Sequence, residues 1–251
     1  MINIYYCDLS KIAFNDNLIK KYNIFLTKEE TDRLLNIKIP ELKRNFIFGR
    51  LIIRQELSKY LNCSNSEITF SKTNLGKLHL SGKFSNSNIG FNLSHSKNII
   101  AVIICNNNAG IDVENIKNKD ISKISQFSFT KNNIEYLDYL RQNYLEKQYV
   151  ESFYTYWTLK EAFIKLKGGS ILNKNLKLDF DLKNNQKFNN FYNNKSENNF
   201  KKSKPYIEIF STIDIKNNLQ FKTFYLQENY ILSYAAQVSK DSNLFIHQLY
   251  F

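Results

Sequence analysis

Ile99-Ile100-Ala101-Val102-Ile103-Ile104-Cys105-Asn106-Asn107-Asn108-Ala109-Gly110-Ile111-Asp112-Val113-Glu114 reads as strand, turn, strand. The apolar run Ile99–Cys105 is seven residues long, far short of the ~20 that span a bilayer. Asn106 to Gly110 is turn-forming. Beyond it, Gly110-Ile111-Asp112-Val113-Glu114 alternates. Ile111 and Val113 face one way along such a strand, Asp112 and Glu114 the other. The turn is also a seam: residues 1–106 and 107–251 each read as strand, helices, strands. The expectation is an α+β protein of two similar-sized halves.

Outward from the seam toward the N-terminus, Ile2 to Tyr6 reads as an opening strand. Thr27 and Glu30 form a capping box for a helix to about Leu35. Pro40 leads a longer helix to about Leu61, in which Phe46, Leu51, Ile53 and Leu57 are mixed with Arg44, Arg50 and Arg54. Ile68–Ser71 and Leu78–Leu80 are short strands around the turn Asn74-Leu75-Gly76-Lys77, and Gly90–Ser94 is another. On the other side, Ile134, Leu137, Leu140 and Tyr144 are helically spaced. A strong helix runs from about Glu151 to Lys167 and stops at Gly168-Gly169. Strands are expected at Leu176–Phe180, Tyr206–Ile213, Leu219–Leu226 and Tyr230–Gln237. Asn184 to Asn199 holds 8 Asn in 16 residues. It reads as an exposed low-complexity insertion, extending to about residue 204.

Four stretches can carry chemistry. Asp112 and Glu114 set two carboxylates ~6.5–7 Å apart on one strand face. They repel unless a cation sits between them, and oxygen ligands of this kind suit Mg²⁺. Read alone, the same residues also describe a solvated polar face. In the second stretch, Trp157-Thr-Leu-Lys160-Glu161-Ala-Phe-Ile-Lys165, a helical wheel places Glu161 inside a stripe of Phe153, Trp157 and Ile164. Burying an acid there is costly unless it is paired or metal-bound; a surface Glu161–Lys165 pair is the plain alternative. Third, Phe91-Asn92-Leu93-Ser94-His95-Ser96 flanks a histidine with hydroxyls, a set able to hold phosphate; a structural histidine is the plain alternative. Fourth, Gly76-Lys77 is a turn with a cation, no more than that by itself. No G-x-S-x-G elbow accompanies His95, which argues against a serine hydrolase.

In this order the four stretches resemble the Sfp-type 4′-phosphopantetheinyl transferases. That family has a Gly-Lys turn, a (F/I)-N-(L/I)-S-H-S segment, a G-(I/V)-D-(I/V)-E strand and a W-(T/S)-x-K-E-(A/S)-x-x-K helix. The resemblance runs from about Arg33 to Gly168. It implies a pseudo-twofold pair of α/β halves, each a small sheet on a long helix, with coenzyme A in the cleft between them. It also implies transfer of the phosphopantetheine arm to a serine of an apo acyl or peptidyl carrier protein, releasing adenosine 3′,5′-bisphosphate. By family motif, Asp112, Glu114 and Glu161 would hold Mg²⁺, with Mn²⁺ as a substitute. Glu161 would also act as base, and Lys165 would face the pyrophosphate. Coenzyme A would be bound by Arg33, Arg44, Gly76, Lys77, Ser94, His95, Lys160 and Lys165. Two departures stand out. Asn133 falls where part of the family has a further acid, and Gly-Lys-Leu replaces Gly-Lys-Pro.

The composition agrees with such partners. Of 251 residues, 35 are Lys or Arg and 23 are Asp or Glu, a net charge of +12. That balance favours an acidic partner. Coenzyme A and the acidic rim of a carrier protein would both qualify. Nucleic acid is the competing partner, but the basic residues form no single run and the aromatics no RNP-type strand. The 35 Asn residues mark a compositional bias that accounts for part of the charge. Cys7, Cys63 and Cys105 make neither a disulfide framework nor a metal knuckle. With no signal-peptide pattern at the N-terminus, the expectation is a cytoplasmic protein that binds no membrane and no nucleic acid; the resemblance implies a monomer.

Overall fold

The computed structural model describes residues 1–12, 15–118, 120–169, 178–194, 206–214, 216, 218–226, 229–238 and 242–251. Two four-stranded sheets lie back to back, each backed by a 22-residue helix. In the first sheet the order is β10 (Leu244–Leu249), β1 (Ile2–Asp8), β5 (Ile99–Asn106), β4 (Ile89–Ser96). The second runs β6 (Ala109–Asn115), β9 (Tyr230–Gln237), β8 (Leu219–Leu226), β7 (Tyr206–Asp214). A hairpin of β2 (Thr69–Lys72) and β3 (Leu78–Ser81) stands apart.

The core follows from strand alternation. On β5, Ile99, Ala101, Ile103 and Cys105 face the second sheet, where they meet Ile111, Val113, Leu232, Tyr234 and Ala236. Ile100, Val102 and Ile104 face the helix α3 (Pro40–Leu61), packing on Ile47, Phe48, Leu51 and Ile52. The second sheet repeats the arrangement. Phe221, Tyr225, Ile231 and Ala235 turn away from the seam and pack under Phe153, Tyr156, Leu159 and Phe163 of α6 (Glu146–Lys167).

Local signals set the helix ends. Thr27 and Glu30 close both arms of the capping box on α2 (Lys28–Asn36). Pro40 occupies the first turn of α3. Gly168, at φ 67°, ends α6, and the Gly169 amide reaches back to the Ile164 carbonyl. Two further helices, α4 (Ser122–Ser128) and α5 (Lys131–Gln142), precede α6, and α1 (Asp16–Tyr22) precedes α2.

Three expectations need correction. The segment expected to be an exposed insertion contains α7 (Gln186–Asn194), whose Phe188 is fully buried and whose Phe191 joins the second core. Phe188, Phe191 and Tyr192 share one helix face, so the apolar minority decides the outcome and Asn190 is left exposed. Residues 195–204 of that segment lie outside the described residues. Of the strand expected at Leu176–Phe180, Leu178 to Phe180 are irregular, and 176–177 lie outside the described residues. Finally, the chain's last strand returns to the first half: β10 pairs parallel with β1, Ile2 opposite Leu244 and Cys7 opposite Leu249. A division at residue 106 therefore misplaces 244–249.

Candidate active site

Gly110 explains how the acidic strand and α6 come together. It lies on the same face of β6 as Asp112 and Glu114. A Cβ there would sit 2.0 Å from the Ala162 carbonyl oxygen and 2.4 Å from the Leu166 amide. With only hydrogen in that place, the helix backbone rides directly on the strand. The turn of helix at this contact carries Glu161 and Lys165.

Asp112 is buried, 4% exposed, and Glu161 is 5% exposed. Lys165 Nζ lies 2.6 Å from Asp112 Oδ1. Ser94 Oγ donates to the same oxygen at 2.8 Å and accepts from Lys165 Nζ at 2.9 Å. Asp112 Oδ2 is buried with no hydrogen-bond partner. Burial first, then the Asp112 carboxylate, pushes the Glu161 carboxyl up to about 7, against the pull of Lys165 and Lys160. The cluster is thus short of positive charge. Its donors are all carboxylate oxygens, the set a hard cation such as Mg²⁺ prefers. Asp112 Oδ2 and Glu161 are the groups such an ion would satisfy. Among the described residues, no three His, Cys, Asp or Glu side chains are gathered closely enough to hold a metal as they stand. Glu114 is half-buried at the far end of β6, where its Oε2 accepts from Ser96 Oγ at 2.9 Å.

Beside this cluster lies a cleft of about 440 Å³ in the first half. Its basic lining residues are Arg33, Arg50, Lys77 and His95, and none of its lining residues is acidic. Gly76, at φ 85°, and Lys77 form one wall; Asn92, Leu93 and His95 of β4 form another. Lys77 Nζ donates to the Ala109 and Leu166 carbonyls, so it also ties the hairpin to both β6 and α6. Burial lowers its pKa to about 8. Partial burial and, next, the Lys165 ammonium lower that of His95 as well. His95 therefore stands between the basic cleft and the acidic cluster.

The expected binding residues divide. Arg33, Gly76, Lys77 and His95 line the cleft, and Ser94 and Lys165 lie in the cluster. Arg44 is engaged elsewhere, and Lys160, whose charge reaches Glu161, also holds a backbone carbonyl. Arg44 is buried and donates to the Leu9 and Ile12 carbonyls and to Asn98 Oδ1, holding the loop after β1. Lys160 Nζ donates to the Ser128 carbonyl at the end of α4. Asn133 spends its amide on Asp179 Oδ1 and the Phe180 carbonyl.

Arg50 was the missed residue. It lines the cleft, sits over the rings of Phe46 and Phe70, and pairs with Glu30 at 3.3 Å. Burial lowers its pKa. Its sequence signal was present in the arginines mixed into the apolar positions of α3. Spacing could not say which of Arg44, Arg50 and Arg54 faces the cleft.

Family models match both halves of the chain. A family model described as the 4′-phosphopantetheinyl transferase superfamily matches residues 108–235, just over half the chain. One described as 4′-phosphopantetheinyl transferase, N-terminal, matches residues 17–108. The chain is 32% identical to the 4′-phosphopantetheinyl transferase HetI of Nostoc over 148 residues, 58% of this chain and 61% of that one. It is 38% identical to the 4′-phosphopantetheinyl transferase gsp of Aneurinibacillus migulanus over 122 residues, 49% of this chain and 47% of that one. With 4′-phosphopantetheinyl transferase Sfp of Bacillus subtilis the identity is 29% over 167 residues, 60% and 70% of the two chains. The aligned stretches thus span about half to three fifths of HetI and gsp. With the superfamily model laid over β6, α6 and the second sheet, the chain belongs to the 4′-phosphopantetheinyl transferase superfamily.

Proposed function

We propose that the protein transfers the 4′-phosphopantetheine arm of coenzyme A to a serine of an apo acyl or peptidyl carrier protein, with Mg²⁺ as the metal. The observation that carries this is a pairing: a basic cleft free of carboxylates adjoins a buried carboxylate cluster short of cations. A polyanionic nucleotide suits the first. Its pyrophosphate suits the second, where the carboxylates would hold a divalent ion that neutralises phosphate charge. The relatives named phosphopantetheinyl transferases, and the superfamily, support the same reading.

Asp112, Glu114 and Glu161 would hold the ion, which when bound supplies charge neutralisation at the pyrophosphate. Arg33, Arg50, Lys77 and His95 bind and orient the nucleotide part from the cleft. The carrier serine oxygen attacks the phosphorus on the pantetheine side, and the bond to the adenylate-side oxygen breaks. Adenosine 3′,5′-bisphosphate leaves. The serine proton passes to Glu161, directly or through one water. Lys165, already on Asp112 and Ser94, faces the negative charge that develops on the leaving oxygen. Most of the rate comes from positioning and electrostatics.

The natural setting of this reaction is the cytoplasm, with the enzyme a monomer and no membrane or nucleic acid involved. No helix among the described residues is long and apolar enough to cross a membrane. The deciding experiment incubates the protein with coenzyme A, Mg²⁺ and a panel of apo carriers. One phosphopantetheine added to the carrier serine by mass spectrometry is expected. No mass shift on any carrier would overturn the assignment.

A further inference from the structure

β4 and β6 lie against each other but belong to different sheets, so no backbone ladder joins them. Side chains take its place. Asn92 Oδ1 accepts from the Ile111 amide at 3.2 Å. Ser94 Oγ donates to Asp112 Oδ1 at 2.8 Å. Ser96 Oγ donates to Glu114 Oε2 at 2.9 Å and accepts from the Asn115 amide at 3.1 Å. The rungs fall at every second residue of β4, as pleated alternation requires, and meet β6 at backbone amides (Ile111, Asn115) and carboxylates (Asp112, Glu114). The residues between them, Leu93 and His95, line the basic cleft.

We infer that Ser96 is a positioning residue that presets Glu114 for a divalent cation. It does so as the outer rung of a β4–β6 side-chain ladder. This rests on the proposed role of Asp112, Glu114 and Glu161 as the ion-holding set. A hydroxyl rotates freely unless both its donor and acceptor functions are engaged. At Ser96 both are: the Asn115 amide fixes the lone pair, and the proton is thereby aimed at Glu114. The carboxylate it holds is a flexible side chain, only half-buried, at the end of its strand. Without the hydroxyl, Glu114 gives up more rotamer freedom on binding the ion. Ser94 acts in parallel on Asp112. Its bond to Lys165 involves it in the phosphate chemistry as well, so Ser96 is the cleaner probe.

The same strand therefore presents His95 to the nucleotide cleft and its two serines to the carboxylates. The first half of the molecule thus sets the geometry of acids carried by the second.

The test titrates Mn²⁺ into the metal-free full chain and reads free Mn²⁺ by electron paramagnetic resonance. Ser96→Ala should bind about tenfold more weakly than the unsubstituted protein, the usual loss on removing a partner behind a metal ligand. Ser96→Thr, which keeps the hydroxyl, should stay within about threefold by the same reasoning. Coenzyme A binding, measured in chelator without metal, should be unchanged in both variants. Mn²⁺ affinity unaltered in Ser96→Ala would overturn the inference. So would a Thr variant as weak as Ala, or a parallel loss of metal-free coenzyme A binding, which would mark a merely structural serine. If the unsubstituted protein takes up no Mn²⁺, the carboxylate assignment itself falls, and this one with it.

Discussion

The two long helices are matched in length and opposite in what they bury. α3 buries Arg44, Arg50 and Arg54 together with Glu56; α6 buries Glu151 and Glu161. On α3 most of the buried charge is spoken for. Arg54 pairs with Glu30 through Nε at 3.0 Å and Nη2 at 2.9 Å, and its Nη1 donates to the Asn65 and Ile68 carbonyls. Arg44 is equally committed to carbonyls. Only Arg50, sharing Glu30 with Arg54, faces the cleft. On α6, Glu151 accepts from Tyr192 of α7 at 2.7 Å, while Glu161 is left beside a second carboxylate. Buried charges that are satisfied hold the fold; the one on each helix that is under-compensated lies at the site. One half is thereby built for anions and the other for a cation.

The sharpest way to break this contrast is Glu161→Gln. Transfer should fall on the order of 10²–10⁴-fold, the range for a lost general base. The unfolding midpoint should not drop, because a carboxylate whose charge the fold disfavours has been replaced by a neutral isostere. Near-normal transfer would remove Glu161 from the chemistry. A sharply lowered midpoint would show it to be a structural acid like Glu151.

Arg54→Ala should do the reverse. It leaves buried Glu30 with Arg50 and the Thr27 amide as its partners and strips donors from two carbonyls. Loss of one partner of a buried ion pair costs about 3–5 kcal/mol, to be read by denaturant unfolding. Coenzyme A affinity of whatever remains folded should change little. If Arg54→Ala weakened binding without unfolding, the division of α3 into structural and cleft-facing arginines would be wrong.

Much of this contrast was legible in the chain. The alternation of Gly110 to Glu114 put Asp112 and Glu114 on one strand face and the wheel put Glu161 in an apolar stripe, since period 2 and period 3.6 act locally; joining the three into one set came from the family resemblance. Caps at Thr27, Pro40 and Gly168 were equally local. Distant partners were not legible. The fate of Arg44 depends on carbonyls of Leu9 and Ile12, over 30 residues away, which only the closed fold brings near. β10 pairs with a strand at the opposite end of the chain. Asparagine content hid α7, because composition averages over the three aromatic residues that anchor it.

Arg33→Ala probes the cleft side gently. Arg33 is exposed, lies over Phe46, and lines the cleft. Stability should stay within about 0.5 kcal/mol. Coenzyme A affinity should fall by about tenfold at low salt, less as ionic strength rises. An effect equal at low and high salt would mean that Arg33 acts by packing and not by charge.

Lys77 offers the finest test, because one ammonium should produce two opposite pH slopes. Burial brings its pKa in the folded protein to about 8, against an ordinary value of 10.5. Between those values the unfolded chain binds more protons than the folded one, so stability rises with pH across that window. Below about 8 both states are charged and this contribution is absent. Binding of an anion runs the other way, since coenzyme A phosphates favour the protonated lysine and affinity should decline as pH passes 8. His95, whose pKa is lowered from 6.5, is already neutral there and adds no slope. Thermal unfolding and coenzyme A titrations from pH 7 to 10 would read both trends. Lys77→Met should flatten both. A binding curve that stays flat in the unsubstituted protein would mean that Lys77 serves only to tie the hairpin to the Ala109 and Leu166 carbonyls. The anion-binding character of the first half would then rest on its arginines alone.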